Sequence, residues 1–264
     1  MTPMENDLDK PLKKVLADLQ TRIVNKTHYF GVKTIKNPLD FWVYREMIVE
    51  HKPDFVIEIG NFNGGSALAF AHILDLMDHG ALIGLDIDHS HVPSHIRDHP
   101  RITFIEGDAC ENFPEVRKII PEGAKVLIFE DSAHTYENTL KVLKTYGGLV
   151  QPGDYIVIED TICHHGLDEG PSPCGYEACE EFAATHSEFE IDRSKEDFGI
   201  TWNPKGFLRR VGGNVESVQV HKGVIHADRA NILILLRKVY IQLMPPILVS
   251  TIRKIRWKFK KRAG

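Results

Sequence analysis

From Asp54 to Asp160 the chain alternates short apolar runs with longer stretches of helical spacing. The runs are FVIEIG (55–60), ALIGLDID (81–88), ITFIEGD (102–108), KVLIFED (125–131) and YIVIED (155–160). Strands buried on both faces read as continuous Val/Ile/Leu runs, so these predict a parallel sheet. Between them GGSALAFAHILDLMD, ENFPEVRKII and TYENTLKVLKTYGGLV predict crossover helices. Each run closes on acidic or glycine residues, at the strand end where open α/β sheets bind ligands.

Upstream, Leu12, Leu16, Leu19 and Ile23 share a helical face within residues 7–26. THYFGVKTIKNPLDFWVYREMIVEHKPD then reads as a loop followed by a helix opening near Pro38–Asp40. Downstream, TICHHGLDEGPSPCGY is a Gly-, Pro- and His-rich loop, EACEEFAATH a helix, and FEIDR and GFLRRVG closing strands. The pattern predicts an α/β fold: a mostly parallel seven-stranded sheet with helices on both faces. Residues 1–50 are expected to form an N-terminal helical and lid segment, 51–213 the α/β domain, and 214–264 a C-terminal extension. No internal repeat is present.

Composition changes this picture mainly at the ends. A hydrophobic fraction of 42% with 26% charged residues fits a folded globular chain rather than a disordered one. The start, MTPMENDLDKPLKK, lacks the apolar core of a secretory signal. Cys110, Cys163, Cys174 and Cys179 form no C-x-x-C pair and read as free thiols, so a cytoplasmic location is expected. The net charge of −5 conceals a split, because IRKIRWKFKKRAG at the C-terminus holds seven basic residues and no acid. Without those seven, 25 basic residues face 37 acidic ones, a net of −12. An acidic body argues against nucleic acid as a partner.

The tail is apolar in places, but Val239–Thr251 is too short to span a bilayer and Pro245-Pro246 interrupt it. Beyond the prolines Leu248, Ile252, Ile255 and Phe259 keep helical spacing among basic residues. This predicts a basic amphipathic helix able to lie on an anionic membrane surface. Docking on the acidic body, or on a second subunit of a homo-oligomer, explains the same pattern equally well.

FVIEIGNFNGGSALAFA places a strand, a turn containing Gly60, Gly64 and Gly65, and a helix in succession. Glycines allow close backbone approach, and the helix start offers unpaired N–H groups. The spacing is neither that of a dinucleotide fingerprint nor that of a P-loop. Glu58 before the turn would repel a pyrophosphate. S-adenosylmethionine, with a sulfonium, an amino group and a ribose diol, fits better. Asp86 in GLDID suits the ribose hydroxyls and Asp108 in EGDA the adenine edge. The expected cofactor-binding set is Glu58, Gly60, Gly64, Ser66, Asp86 and Asp108.

If the KVLIFED and YIVIED strands are neighbours, Asp131 converges with Glu159 and Asp160. Three carboxylates that close raise one another's pKa unless a cation sits among them. All-oxygen ligation favours Mg²⁺, with Mn²⁺ or Ca²⁺ as alternatives. Such an ion would acidify a bound hydroxyl, and His134 could take its proton. Asp131 alone would read as a solvated strand end, with Ser132 capping the following helix. The three acids beside a cofactor turn favour the metal. Glu130 is the weaker ligand candidate. Cys163, His164 and His165 lack a fourth donor at zinc spacing and are taken as lid residues.

GVKTIKNPLDFWVYREMIVEHKPDFVIEIGNFNGGSALAFAHIL, GLDID, FIEGD, FEDSAHTYENTLKVLKTYGGLVQPGDYIVIEDT and GPSPCGYEACEEF resemble the cephalosporin hydroxylase and rhamnosyl O-methyltransferase family over about residues 28–211. That family is related to the macrolide-sugar O-methyltransferases. The resemblance implies a class I methyltransferase fold, S-adenosylmethionine, and Mg²⁺ held by Asp131, Glu159 and Asp160. It places His134 where the sugar methyltransferases have their proposed base, with Asp131 the other candidate. Lys36 departs from the glutamine expected there in many members, which would alter the pocket entrance. The basic tail has no counterpart. The acceptor implied is a sugar hydroxyl of a glycan, glycolipid or glycosylated small molecule. A catechol or phenol acceptor, and a cofactor-binding subunit without turnover, stay open as alternatives.

Overall fold

A computed structural model describes residues 8–212. Helix α1 (Leu12–Lys26) buries Leu16 and Ile23 against Ile162, Leu167 and Trp202, with Leu19 partly buried beside them. Leu12 shares the predicted face but lies a turn before that cluster and stays exposed. Part of the expected loop is instead a hairpin of β1 (His28–Tyr29) and β2 (Val32–Lys33). Its two turn residues, Phe30 and Gly31, both have positive φ, as a tight hairpin requires. Helix α2 (Pro38–His51) opens as predicted: Asn37 accepts the Leu39 N–H and Pro38 takes the first position.

The rest of the chain is β3 (Phe55–Ile59), α3 (Gly65–Met77), β4 (Ala81–Asp86), α4 (Ser94–Arg97), β5 (Ile102–Glu106), α5 (Phe113–Ile119) and β6 (Val126–Glu130). Next come α6 (Tyr136–Tyr146), β7 (Tyr155–Ile158), α7 (Gly175–Thr185), β8 (Phe189–Ile191) and β9 (Phe207–Arg210). The strand order is β5-β4-β3-β6-β7-β9-β8. All pairs are parallel except those of β9, which runs antiparallel to β7 and β8. The observed strands stop one or two residues short of the C-terminal ends of the apolar runs.

Alternate strand residues feed the two faces. Val56, Leu82, Leu127, Phe129 and Val157 pack on α2 and α3 through Tyr44, Met47, Phe70 and Leu74. Ile57, Ile83, Ile128 and Ile156 pack on α5, α6 and α7 through Val116, Leu143 and Phe182. Helix α2 therefore belongs to the core of the α/β layer, with Tyr44 among its most buried side chains.

Strand β3 lies between β4 and β6, so the connections diverge there and leave a crevice at the strand ends. The N–H of Asp131 donates to the carbonyl of Ile59 at 2.8 Å, extending the β3–β6 contact to the crevice edge. At Gly60, φ is +88° and a Cβ would sit 2.1 Å from the Asp131 carbonyl oxygen. Only glycine permits that approach.

No helix among the described residues is long and apolar enough to cross a membrane. The predicted amphipathic helix after Pro246, and the whole expected extension from residue 214, lie outside the described residues.

Candidate active site

A cavity of about 350 Å³ opens at the crevice and is lined by Gly60, Phe62, Asp86, Ile87, Asp108 and Asp131, among others. Asp86 accepts the N–H of Phe62 at 2.7 Å, which folds the glycine turn over the end of β4. Asp108 accepts the N–H groups of Cys110 (2.8 Å) and Glu111 (3.0 Å) and pairs with Lys141 at 3.2 Å. The Glu111 N–H and Lys141 hold its carboxyl below the usual range, against a smaller opposing effect of burial. Gly60, Asp86 and Asp108 thus face the cavity. Glu58, Gly64 and Ser66 do not line it. Gly64 sits in the left-handed region against Val92 and Ile96, and Ser66 is buried in the first turn of α3. Glu58 is fully buried behind the turn.

Strands β6 and β7 are neighbours, and their ends bring Asp131, Glu159 and Asp160 together. His134 joins them: its Nε2 lies 3.7 Å from Asp131 Oδ1 and 3.5 Å from Asp160 Oδ2. Both His134 and Asp160 hold left-handed backbone, with φ of 57° and 56°. Such conformations in non-glycine residues persist where neighbouring structure enforces them, often at functional sites. The Asp160 N–H donates to Asn203 Oδ1 at 3.0 Å, and the next residue, Thr161, donates its hydroxyl to Pro204 O at 2.7 Å. Asp40 in turn accepts the Trp202 N–H and the Thr201 hydroxyl. The 201–204 segment therefore braces the turn that presents Asp160.

A lysine completes the cluster. Lys36 Nζ lies 2.6 Å from Asp131 Oδ2, 2.6 Å from Glu159 Oε1 and 3.6 Å from Glu58 Oε1. Its side chain is buried inside the cluster, not at the pocket entrance where the sequence placed it. Burial opposes its charge, but Asp131, Glu159 and Glu58 outweigh burial and hold its pKa well above the ordinary value. Burial pushes Glu159 well above the usual carboxylate range, and burial with the nearby Asp131 pushes Asp160 up to about 6. Burial pulls His134 down, but Asp131, Asp160 and Glu130 reverse this and leave it above its ordinary value. Glu130 points away, accepting from Ser132, Asn138 and Thr139 at the start of α6. Ser132 is thus engaged with Glu130, and the cap of α6 is Thr135, which accepts the Asn138 N–H at 3.3 Å.

Four carboxylates (Glu58, Asp131, Glu159 and Asp160) face one ammonium and one imidazole, so acids outnumber basic groups in the cluster. Donor atoms of Asp131, His134 and Asp160 lie within 4.8 Å of one another. Lys36 occupies one oxygen each of Asp131 and Glu159, leaving their second oxygens free of it. The donor set and its charge deficit fit a hard divalent cation. Asn203 is a site residue that sequence reasoning missed, and the sequence marks Lys36 only as a departure at the pocket entrance; no spacing ties either to the strand ends they serve.

The family description rhamnosyl O-methyltransferase/CmcI matches residues 21–211. The chain belongs to that family. A rhamnosyl O-methyltransferase of Mycobacterium tuberculosis is 32% identical over 195 residues, covering 70% of this chain and 78% of the relative. One from Mycobacterium leprae is 32% identical over 197 residues, covering 70% and 84%. Among solved structures, apo CmcI is 27% identical with a TM-score of 0.56, covering 70% of this chain and 76% of CmcI. A CmcI structure with Mg and SAM is 25% identical with a TM-score of 0.56, covering 70% and 77%. The chain is an O-methyltransferase of the class I fold.

Proposed function

We propose that this methyltransferase places a methyl group on a sugar hydroxyl with the help of a divalent cation. The observation that carries the reading is the position of the charged cluster. Asp131 lines the cofactor cavity, whereas His134 and Asp160 line a separate groove on their other side. An acceptor in the groove and a methyl donor in the cavity would meet across these side chains.

In the cavity, Asp86 would accept from a ribose diol and Asp108 would meet the adenine edge, while Gly60 keeps the backbone low at the crevice edge. His134, in contact with two carboxylates that favour its charged form, is suited to receive the hydroxyl proton. Bound in the cavity, S-adenosylmethionine would supply the methyl group to the acceptor oxygen, its sulfonium becoming a neutral thioether. Asp131, Asp160 and the free oxygen of Glu159 are the groups that would hold Mg²⁺. Bound there, the ion would lower the pKa of the acceptor hydroxyl. Lys36 holds Asp131 and Glu159 in place. Rhamnosyl O-methyltransferases among the relatives support a sugar as the acceptor. The basic tail we read as a contact to an anionic membrane, on its sequence alone.

Transfer of a labelled methyl group to an acceptor glycoside tests the reading. Asp131→Asn should abolish turnover, a loss of about 10²-fold or more, with affinity for S-adenosylhomocysteine changed only slightly. Chelator should abolish turnover and Mg²⁺ restore it. Full activity in the variant or in chelator would remove the cluster, or the ion, from the reaction.

A further inference from the structure

Where the loop after β7 runs into α7, a thiol, an imidazole and a carboxylate come together. Cys174 caps α7, Glu177 stands on its first turn, and His165 reaches them from the loop. Donor atoms of the three lie within 4.8 Å of one another. Along the chain Cys163, His164 and His165 are adjacent but lack a fourth donor at zinc spacing. The fold splits that run: His164 Nε2 lies 3.1 Å from Gly170 O, whereas His165 turns to the helix start.

Each donor is already aimed. His165 Nε2 lies 2.7 Å from Glu177 Oε1, and its ring stacks on Tyr176 with centroids 3.7 Å apart and planes at 12°. Glu177 Oε2 accepts the Cys174 N–H at 2.9 Å, so Oε1 can pass from the imidazole to an ion while the cap stays intact. Cys174 Sγ is buried and accepts the Tyr176 N–H at 3.4 Å. It sits in the positive field at the start of an 11-residue helix, where a thiolate is stabilised. Burial pushes the free thiol up to about 11, so an entering ion displaces its proton to solvent. His165 and Glu177 reach solvent, which leaves the ion a path in. Sulfur and nitrogen beside one oxygen suit Zn²⁺, whereas Mg²⁺ takes oxygen.

We propose that His165, Cys174 and Glu177 form a second metal site, for Zn²⁺, separate from the carboxylate cluster. Water takes the fourth tetrahedral position. The ion clasps the loop after β7 to α7 behind His134. There the Gly175 N–H donates to the His134 carbonyl at 3.1 Å, and Thr135 pairs with Cys174 across an isolated bridge. Metal on Cys174 thereby steadies the backbone that holds His134 in its left-handed conformation.

Co²⁺ is the probe, because a cobalt–thiolate bond absorbs in the near ultraviolet and all-oxygen ligation does not. Titrated into the full chain with excess Mg²⁺ present, one equivalent of Co²⁺ should produce that band, and Zn²⁺ should abolish it by displacement. Cys174→Ser keeps a residue able to cap α7 but removes the sulfur, so the band should vanish. His165 is at the surface, so His165→Ala should fold normally and weaken Co²⁺ binding at least about tenfold. Asp131→Asn should leave the band unchanged. Absence of the band in the wild type, its persistence in Cys174→Ser, or its loss in Asp131→Asn would overturn the proposal. So would wild-type Co²⁺ affinity in His165→Ala.

Discussion

With Lys36 between Asp131 and Glu159, the carboxylate cluster stands preassembled around a fixed charge. Replacing it by methionine would leave buried carboxylates facing each other. Breaking a buried ion pair on one side costs about 3–5 kcal/mol, so Lys36→Met should lower the denaturant midpoint by a corresponding amount. An unchanged midpoint would mean that Lys36 does not bind the cluster in solution. His134 provides a second residue-level prediction. A base must be neutral to accept a proton, and this imidazole has a raised pKa. The acid limb of kcat/KM should therefore fall as pH drops through a value above the ordinary 6.5. His134→Gln should remove that limb and cost about 10²–10⁴-fold in rate. Asp131, Glu159 and Asp160 were legible because each ends an apolar run. Lys36 was visible only as a departure from a family pattern, and its partners lie 95 and 123 residues away. Asn203 left no signal, since its role is one hydrogen bond to a distant backbone N–H.

At the scale of elements, the turn after β3 decides whether a cofactor cavity exists. A methyl group at Gly60 would collide with the Asp131 carbonyl, and the backbone there is left-handed. Gly60→Ala should push β3 and β6 apart at the crevice, destabilise the chain by about 1–3 kcal/mol and weaken S-adenosylhomocysteine binding. Thermal melting and calorimetry would check both, and wild-type values would contradict the close approach. The strands were readable because burial on both faces leaves uninterrupted apolar runs. The β1–β2 hairpin and α4 were not, because two-residue strands and a four-residue helix are shorter than any periodicity can register. The α6 cap went to Thr135 because Ser132 had a buried partner in Glu130, a competition invisible in the local sequence.

For the molecule as a whole, the alternation of runs and helices implied a parallel sheet. It could not rank the strands, and the site depended on β6 lying beside β7. The ladder pairing Ile128 with Ile156 meets that condition. The antiparallel insertion of β9 between β7 and β8 was not readable, because it depends on a long return connection rather than on strand composition. Charge separates the two ends of the chain: seven basic residues close an otherwise acidic sequence. Cutting after Asp228 should reduce binding to vesicles rich in anionic lipid, more so at low salt. Equal binding by both forms would assign the tail to a protein contact instead. The claim on which everything else depends is that the crevice of β3, β4 and β6 holds a methyl donor. Calorimetric titration of S-adenosylhomocysteine into the purified chain tests it directly. One equivalent should bind, with affinity lost on mutating Asp86 to Ala. Absence of saturable heat, or binding unaffected by that substitution, would contradict the account.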